Sequence, residues 1–154
     1  MKMVYTENAR GDAQRDAMEQ AENRGLCPFC HPGLEEIHRQ PIEYSGTYWL
    51  LTPSAYPYDG TRMHYLLIST YHNATLATLS PAAWAEFGML VNRVAETQGI
   101  YGGAVVFRFG DPAYTGASIQ HLHAHIIAGD TARTDTHGSV KVKVGYKKTS
   151  GDSA

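Results

Sequence analysis

The 154-residue chain has no apolar run of membrane-spanning length and only two cysteines. The first absence excludes a spanning helix, which needs ~20 consecutive apolar residues. The second excludes a disulfide-stapled fold. In a reducing compartment a close pair such as Cys27 and Cys30 points instead to a metal or redox site. Charge is also scarce, at 18% of residues, with a formal net charge of −2 and an isoelectric point of about 6.4. Without a basic excess, no nucleic-acid surface is expected. A small anionic ligand needs only local positive groups and stays admissible. The N-terminal stretch shows no apolar segment followed by small residues, so the expected location is cytoplasmic.

What is present reads as one ordinary domain. Apolar residues make up 43% of the chain, enough for a real core at this length. Residues 7–24 are rich in helix formers but lack an apolar stripe, which predicts a surface helix stopped by Gly25. Cys27-Pro28-Phe29-Cys30-His31-Pro32-Gly33 reads as a knuckle. A hairpin is predicted over 42–51 and a strand over 63–69. The clearest helix is 81–98: Ser80 suits the N-cap, Pro81 the first position and Gly99 the residue past the end. Trp84, Phe87, Gly88, Val91, Val94 and Ala95 share one face of it. Strands are predicted over 104–109, 118–128 and 140–146, with a loop over 111–116. This order gives an α+β domain, an antiparallel sheet of about five strands with one long packed helix and an N-terminal surface helix.

Ser118 to Ile127 is the most informative segment. Strand periodicity places His121, His123 and His125 on one face and Leu122, Ala124 and Ile126 on the other, core-facing side. Three adjacent imidazoles have little structural purpose, because they repel when charged and need partners when buried. Two chemistries suit them. Either they ligate a metal together, or one is a nucleophile oriented by its neighbours.

The run His121-Leu122-His123-Ala124-His125-Ile126-Ile127 resembles the signature of the histidine triad (HIT) family, and Gly116-Ala117-Ser118-Ile119 resembles its lead-in. The likeness continues upstream through Trp49–Pro53, Tyr56-Pro57-Tyr58, His64–Ile68, His72 and the long helix. It implies a HIT-like fold and a nucleotidyl hydrolase or transferase. In that reading His123 takes the nucleotidyl group from an α-phosphate, with His121 and His125 beside it. Ser118 and Ile119 would meet the phosphate. Two positions depart from the family. Thr52 stands where an Asp or Asn commonly holds the ribose hydroxyls. Arg108 stands near a common Asn or Gln, as a holder of extra phosphates or as a surface residue.

Cys27-x-x-Cys30 alone admits redox, haem-attachment and zinc readings. The sequence context disfavours the first two, since no strand precedes the pair and no signal peptide accompanies it. The family resemblance implies a structural zinc held by Cys27, Cys30, His72 and His121, with His31 the substitute for His72. His31, His38, His64 and His137 otherwise read as ordinary polar residues. The resulting plan is a single domain over 1–148: N-terminal helix and zinc knuckle 1–33, catalytic core 34–130, C-terminal strand 138–148, and a tail over 149–154. The apolar edge segment Gly102–Phe107 predicts a homodimer. The competing functions are a histidine-ligated metalloenzyme and a non-catalytic nucleotide-binding or zinc-stabilised interaction module.

Overall fold

The computed structural model describes residues 1–135 and 138–145. In chain order the strands are β1 (Tyr44–Ser45), β2 (Trp49–Pro53), β3 (Thr61–Ser69), β4 (Ala104–Arg108) and β5 (His123–Gly129). They lie in the order β1-β2-β3-β5-β4, every neighbouring pair antiparallel. The helices are α1 (Asp12–Asn23), α2 (Pro81–Thr97) and the single turn α3 (Pro112–Thr115). Among the described residues no helix is long and apolar enough to cross a membrane.

Period-2 alternation gives the sheet two different faces. Trp49, Leu51, Met63, Leu67, Ala124, Ile126 and Ala128 project to one side and bury against Leu90 and Val94 of α2. The helix forms where the sequence predicts: the Ser80 hydroxyl accepts from the Ala83 N–H at 3.1 Å, and Gly99 at φ 57° ends it. Its buried stripe runs through Ala83, Leu90 and Val94 with Phe87 and Val91 at the margin, while Trp84 is 42% exposed. Two polar ties complete this side. The buried Trp49 indole donates to the Ala83 carbonyl at 2.8 Å. The Glu86 carboxylate accepts from the N–H groups of Thr47, Tyr48 and Trp49, so the helix fixes the β1–β2 turn.

The opposite face presents Leu66 and Ile68, with His64, His123 and His125 at the same parity, and is covered by the N-terminal third. The knuckle lays Cys27 and Phe29 on Leu66 and Ile68. It closes tightly, because a Cβ on Gly33 would collide with the Cys27 carbonyl. A π-helical turn over Leu34–His38 follows, and Ile37 joins Val4, Met18 and Ala21 in a second small core under α1.

Several expectations need correction. The first helix begins at Asp12, since residues Thr6–Asn8 make a separate 3₁₀ turn. Part of the predicted 111–116 loop is α3, with Asp111 as its cap. The strand predicted over 118–128 begins only at His123. Pairing on both sides ends there: His123 faces Arg108, the last residue of β4, and Ile68 on β3, beyond which β3 keeps only the backbone bond from Ser69 N–H to Leu122 O. Residues 118–122 find other backbone partners: Ile119 bridges Val4, Tyr5 N–H donates to Ser118 O, and Leu122 N–H donates to Asn73 O. Residues 140–145 form no strand; Lys143 and Gly145 instead rest on Arg108 and Thr115. His137, residues 146–148 of the predicted strand and the 149–154 tail lie outside the described residues.

Candidate active site and metal centre

The three histidines of the run have different hydrogen-bond partners, and the partners fix their protons. His123 Nδ1 lies 2.7 Å from the backbone carbonyl of His121. A carbonyl only accepts, so Nδ1 carries the proton and Nε2 keeps its lone pair. The ring is buried, edge-on to Phe29 at 4.9 Å. Burial, more than the neighbouring cations, pushes its pKa down to about 4, so it is neutral near pH 7.

His125 is set through a relay. The Tyr58 backbone N–H donates to His64 Nδ1 at 3.0 Å. His64 therefore carries its proton on Nε2, which donates to His125 Nδ1 at 2.8 Å. That leaves His125 protonated on Nε2, 3.4 Å from an Arg108 guanidinium nitrogen. Two donors face each other, and among the described residues no acceptor is bonded to both. Tyr58 stacks on the His125 ring at 5.3 Å, and Arg108 also donates to its hydroxyl at 3.2 Å. Burial lowers the pKa of His64 to about 4 and that of His125 well below the ordinary value.

His121, just outside β5, turns away from the other two. Its Nε2–H donates to the Ser69 carbonyl at 2.7 Å, which leaves Nδ1 free to ligate. Around that Nδ1 lie Cys27 Sγ and Cys30 Sγ, each at 3.5 Å, and His72 Nδ1 at 3.3 Å. Cys30 Sγ and His72 Nδ1 are 3.3 Å apart. A tetrahedral ion with zinc's bond lengths requires edges of about 3.5 Å for S···N and about 3.3 Å for N···N. The four residues could therefore hold a metal ion, and His31 pairs with Glu35 instead. Burial pushes the Cys27 thiol up to about 12, and a divalent cation reverses this by displacing the proton. His123 and His125 take no part in the cluster, so the three histidines do not converge on one ligand point.

An open cleft borders His123 and His125. Ser118 and Ile119 are in its wall, with Phe29, His38 and Arg10. Thr52 is not in that wall. It is fully buried, and its hydroxyl is taken by His38 Nε2 at 2.8 Å, so His38 is the group that faces the cleft. Sequence reasoning gave four residues here no role in the site. His64 had a usable signal, because it shares strand parity with Leu66 and Ile68 on the triad face. Tyr58 had one only as part of the Tyr56-Pro57-Tyr58 likeness, and Arg10 and His38 carry no local signal, since tertiary packing brings them in.

Comparison with known proteins bears on the fold that carries this site. No curated protein matches the chain, whereas the HIT domain family matches residues 59–132. Solved structures share the fold. A HIT family hydrolase from Clostridium thermocellum is 24% identical, with a TM-score of 0.55 over 71% of this chain and 95% of its own. A histidine triad protein from Clostridium difficile is 22% identical, with a TM-score of 0.53 over 71% and 96%. A hypothetical protein from Leishmania major is 25% identical, with a TM-score of 0.54 over 81% and 86%. The matched segment contains His64, His72 and the whole histidine run. Cys27, Cys30, Phe29, His38 and Arg10 all precede it, so the N-terminal third supplies half of the metal cluster and one wall of the cleft.

Proposed function

We propose that the chain is a nucleotidyl hydrolase or transferase that acts through a covalent nucleotidyl-His123 intermediate. The observation that carries this reading is the His123 Nδ1–H bond to the His121 carbonyl, which leaves Nε2 as a lone pair on a residue that borders an open cleft. In the first step Nε2 attacks the α-phosphorus, the N–P bond forms, and the bond from phosphorus to the leaving group breaks with its electron pair. The imidazole gains positive charge as it does so, and the His121 carbonyl stabilises it. The His125 Nε2–H, Arg108 and Ser118 donate to the phosphate oxygens as negative charge builds there. In the second step water attacks phosphorus, the pair returns to Nε2, and the water's spare proton passes to solvent. A phosphate or alcohol acceptor in place of water makes the same chemistry a transfer.

Zinc is the ion proposed for Cys27, Cys30, His72 and His121. Its four protein ligands leave no open position, so its contribution is structural. A homodimer paired through β4 is also proposed. This strand is the sheet edge, Val105 on it is 41% exposed, and a shallow apolar hollow runs beside it between Val91 and Ile127. Sedimentation should give a particle of twice the 16.9 kDa chain mass. The deciding experiment on function is chemical. Acid-labile, base-stable label from a nucleotide ester should appear on His123 after rapid quenching and peptide mapping. Full turnover with no such adduct would end the proposal.

A further inference from the structure

Arg10 and Arg108 reach the same tyrosine from different parts of the chain. The Arg10 guanidinium lies 4.4 Å over the Tyr58 ring, while Arg108 holds the Tyr58 hydroxyl and faces His125. Among the described residues neither arginine has a carboxylate partner: Arg10 donates to the Tyr56 carbonyl and Arg108 to the Lys143 carbonyl. Arg10 is held in place by the N-terminal segment. Asn8 donates to the Ala117 carbonyl at 2.9 Å, and Tyr5 N–H to the Ser118 carbonyl at 2.8 Å. Gln14 joins the two regions directly, accepting from the Arg10 backbone N–H at 2.9 Å and reaching the Ser118 hydroxyl at 3.4 Å.

We infer that Arg10 is a specificity-determining residue that, with Arg108, selects nucleotides whose leaving group is itself a phosphate. This rests on the proposed attack by His123. An α-phosphodiester carries one negative charge, which His125, Ser118 and one arginine already satisfy. A second guanidinium, exposed on the cleft wall and without a carboxylate partner among the described residues, is placed to meet a further phosphate. The planar fork of arginine suits phosphate oxygens. The chemistry of departure points the same way. A phosphate leaves as an anion with no added proton. An amine must be protonated as it leaves, and His125, neutral and far below its ordinary pKa, is a poor donor of that proton.

The test compares two substrates of the full-length protein that share one nucleoside 5′-phosphoryl group. One is a dinucleoside triphosphate, the other a nucleoside 5′-phosphoramidate. Wild type should favour the triphosphate, and Arg10→Gln should lower the ratio of the two kcat/KM values by about tenfold or more. Arg10→Lys should recover part of that ratio, because it restores charge without the fork. Equal losses on both substrates would mean that Arg10 only holds the loop around Tyr56, and the inference would fail. It would fail equally if wild type favoured the phosphoramidate. Binding of inorganic tripolyphosphate, measured by calorimetry on wild type and Arg10→Gln, separates this inference from the reading beneath it. If neither substrate is turned over, weaker tripolyphosphate binding in the variant still supports an anion site at Arg10, while unchanged binding overturns it.

Discussion

The two faces of the sheet are built on opposite economies of contact. Under α2 the sheet offers hydrocarbon: Leu51, Met63, Leu67, Ala124 and Ile126 meet Leu90 and Val94, and many residues share the work of exclusion from water. On the other face each histidine of the run is oriented by one designated partner. His123 has one carbonyl, His121 another, and His125 depends on His64. Hydrophobic packing is additive and non-directional, so it degrades gradually. The triad face is directional, and one lost partner changes the protonation of a ring. The first face stores stability and the second stores chemistry.

Substitutions should separate the two. The largest effect is expected from His123→Ala, which should cut turnover by at least about 10⁴-fold, because no neighbour can replace the attacking nitrogen. Nucleotide binding by this variant, followed by calorimetry, should persist. His125→Ala should be milder, at about 10²-fold, because it removes a donor and leaves the nucleophile. Cys27→Ser should release the metal and lower the melting temperature, and His121→Ala should share that phenotype. Elemental analysis beside calorimetric melting tests this, and a wild-type chain without stoichiometric metal would refute it. Leu90→Ala breaks the other face. It should cost about 2–5 kcal/mol of stability by opening a cavity, with turnover per folded molecule close to wild type.

The smallest expected effect is set by pH. Burial lowers the pKa values of His38 and His64 from 6.5 to about 4. Between those values the unfolded chain binds more protons than the folded one, so stability rises with pH across this window. Acidification below pH 6.5 should therefore destabilise the protein progressively and level off below pH 4. A single such imidazole accounts for at most about 3 kcal/mol. His38→Gln should flatten the melting-temperature profile between pH 4 and 6.5. An unaltered slope would show that His38 contributes nothing to it.

How far the sequence could be read depends on which interactions decide each feature. Ser80, Pro81 and Gly99 bound α2 through contacts within a few residues, so its limits were legible. The alternation of His123, Ala124, His125 and Ile126 is equally local. His121 was misplaced onto the strand because the start of β5 is decided by where β3 and β4 stop, which lies outside the run itself. Its partition to the metal cluster could be inferred only from family likeness. Thr52 was legible as a departure, but its burial behind His38 follows from the π-helical turn over Leu34–His38, which no periodicity announces. Arg10 is still further removed, since it reaches the cleft through pairing of residues 3–8 with 117–120.

The relay that orients His125 begins at the peptide N–H of Tyr58. Every residue except proline brings the same group to that position. The ring of Tyr58 can therefore be exchanged, and its stacking lost, while the instruction that places the proton on His125 is still issued. The same holds for His123 and His121, whose protons answer to the carbonyls of His121 and Ser69. The order of protons in this site is written in the main chain. Drift in the surrounding side chains can retune what the cleft admits and leave that order intact.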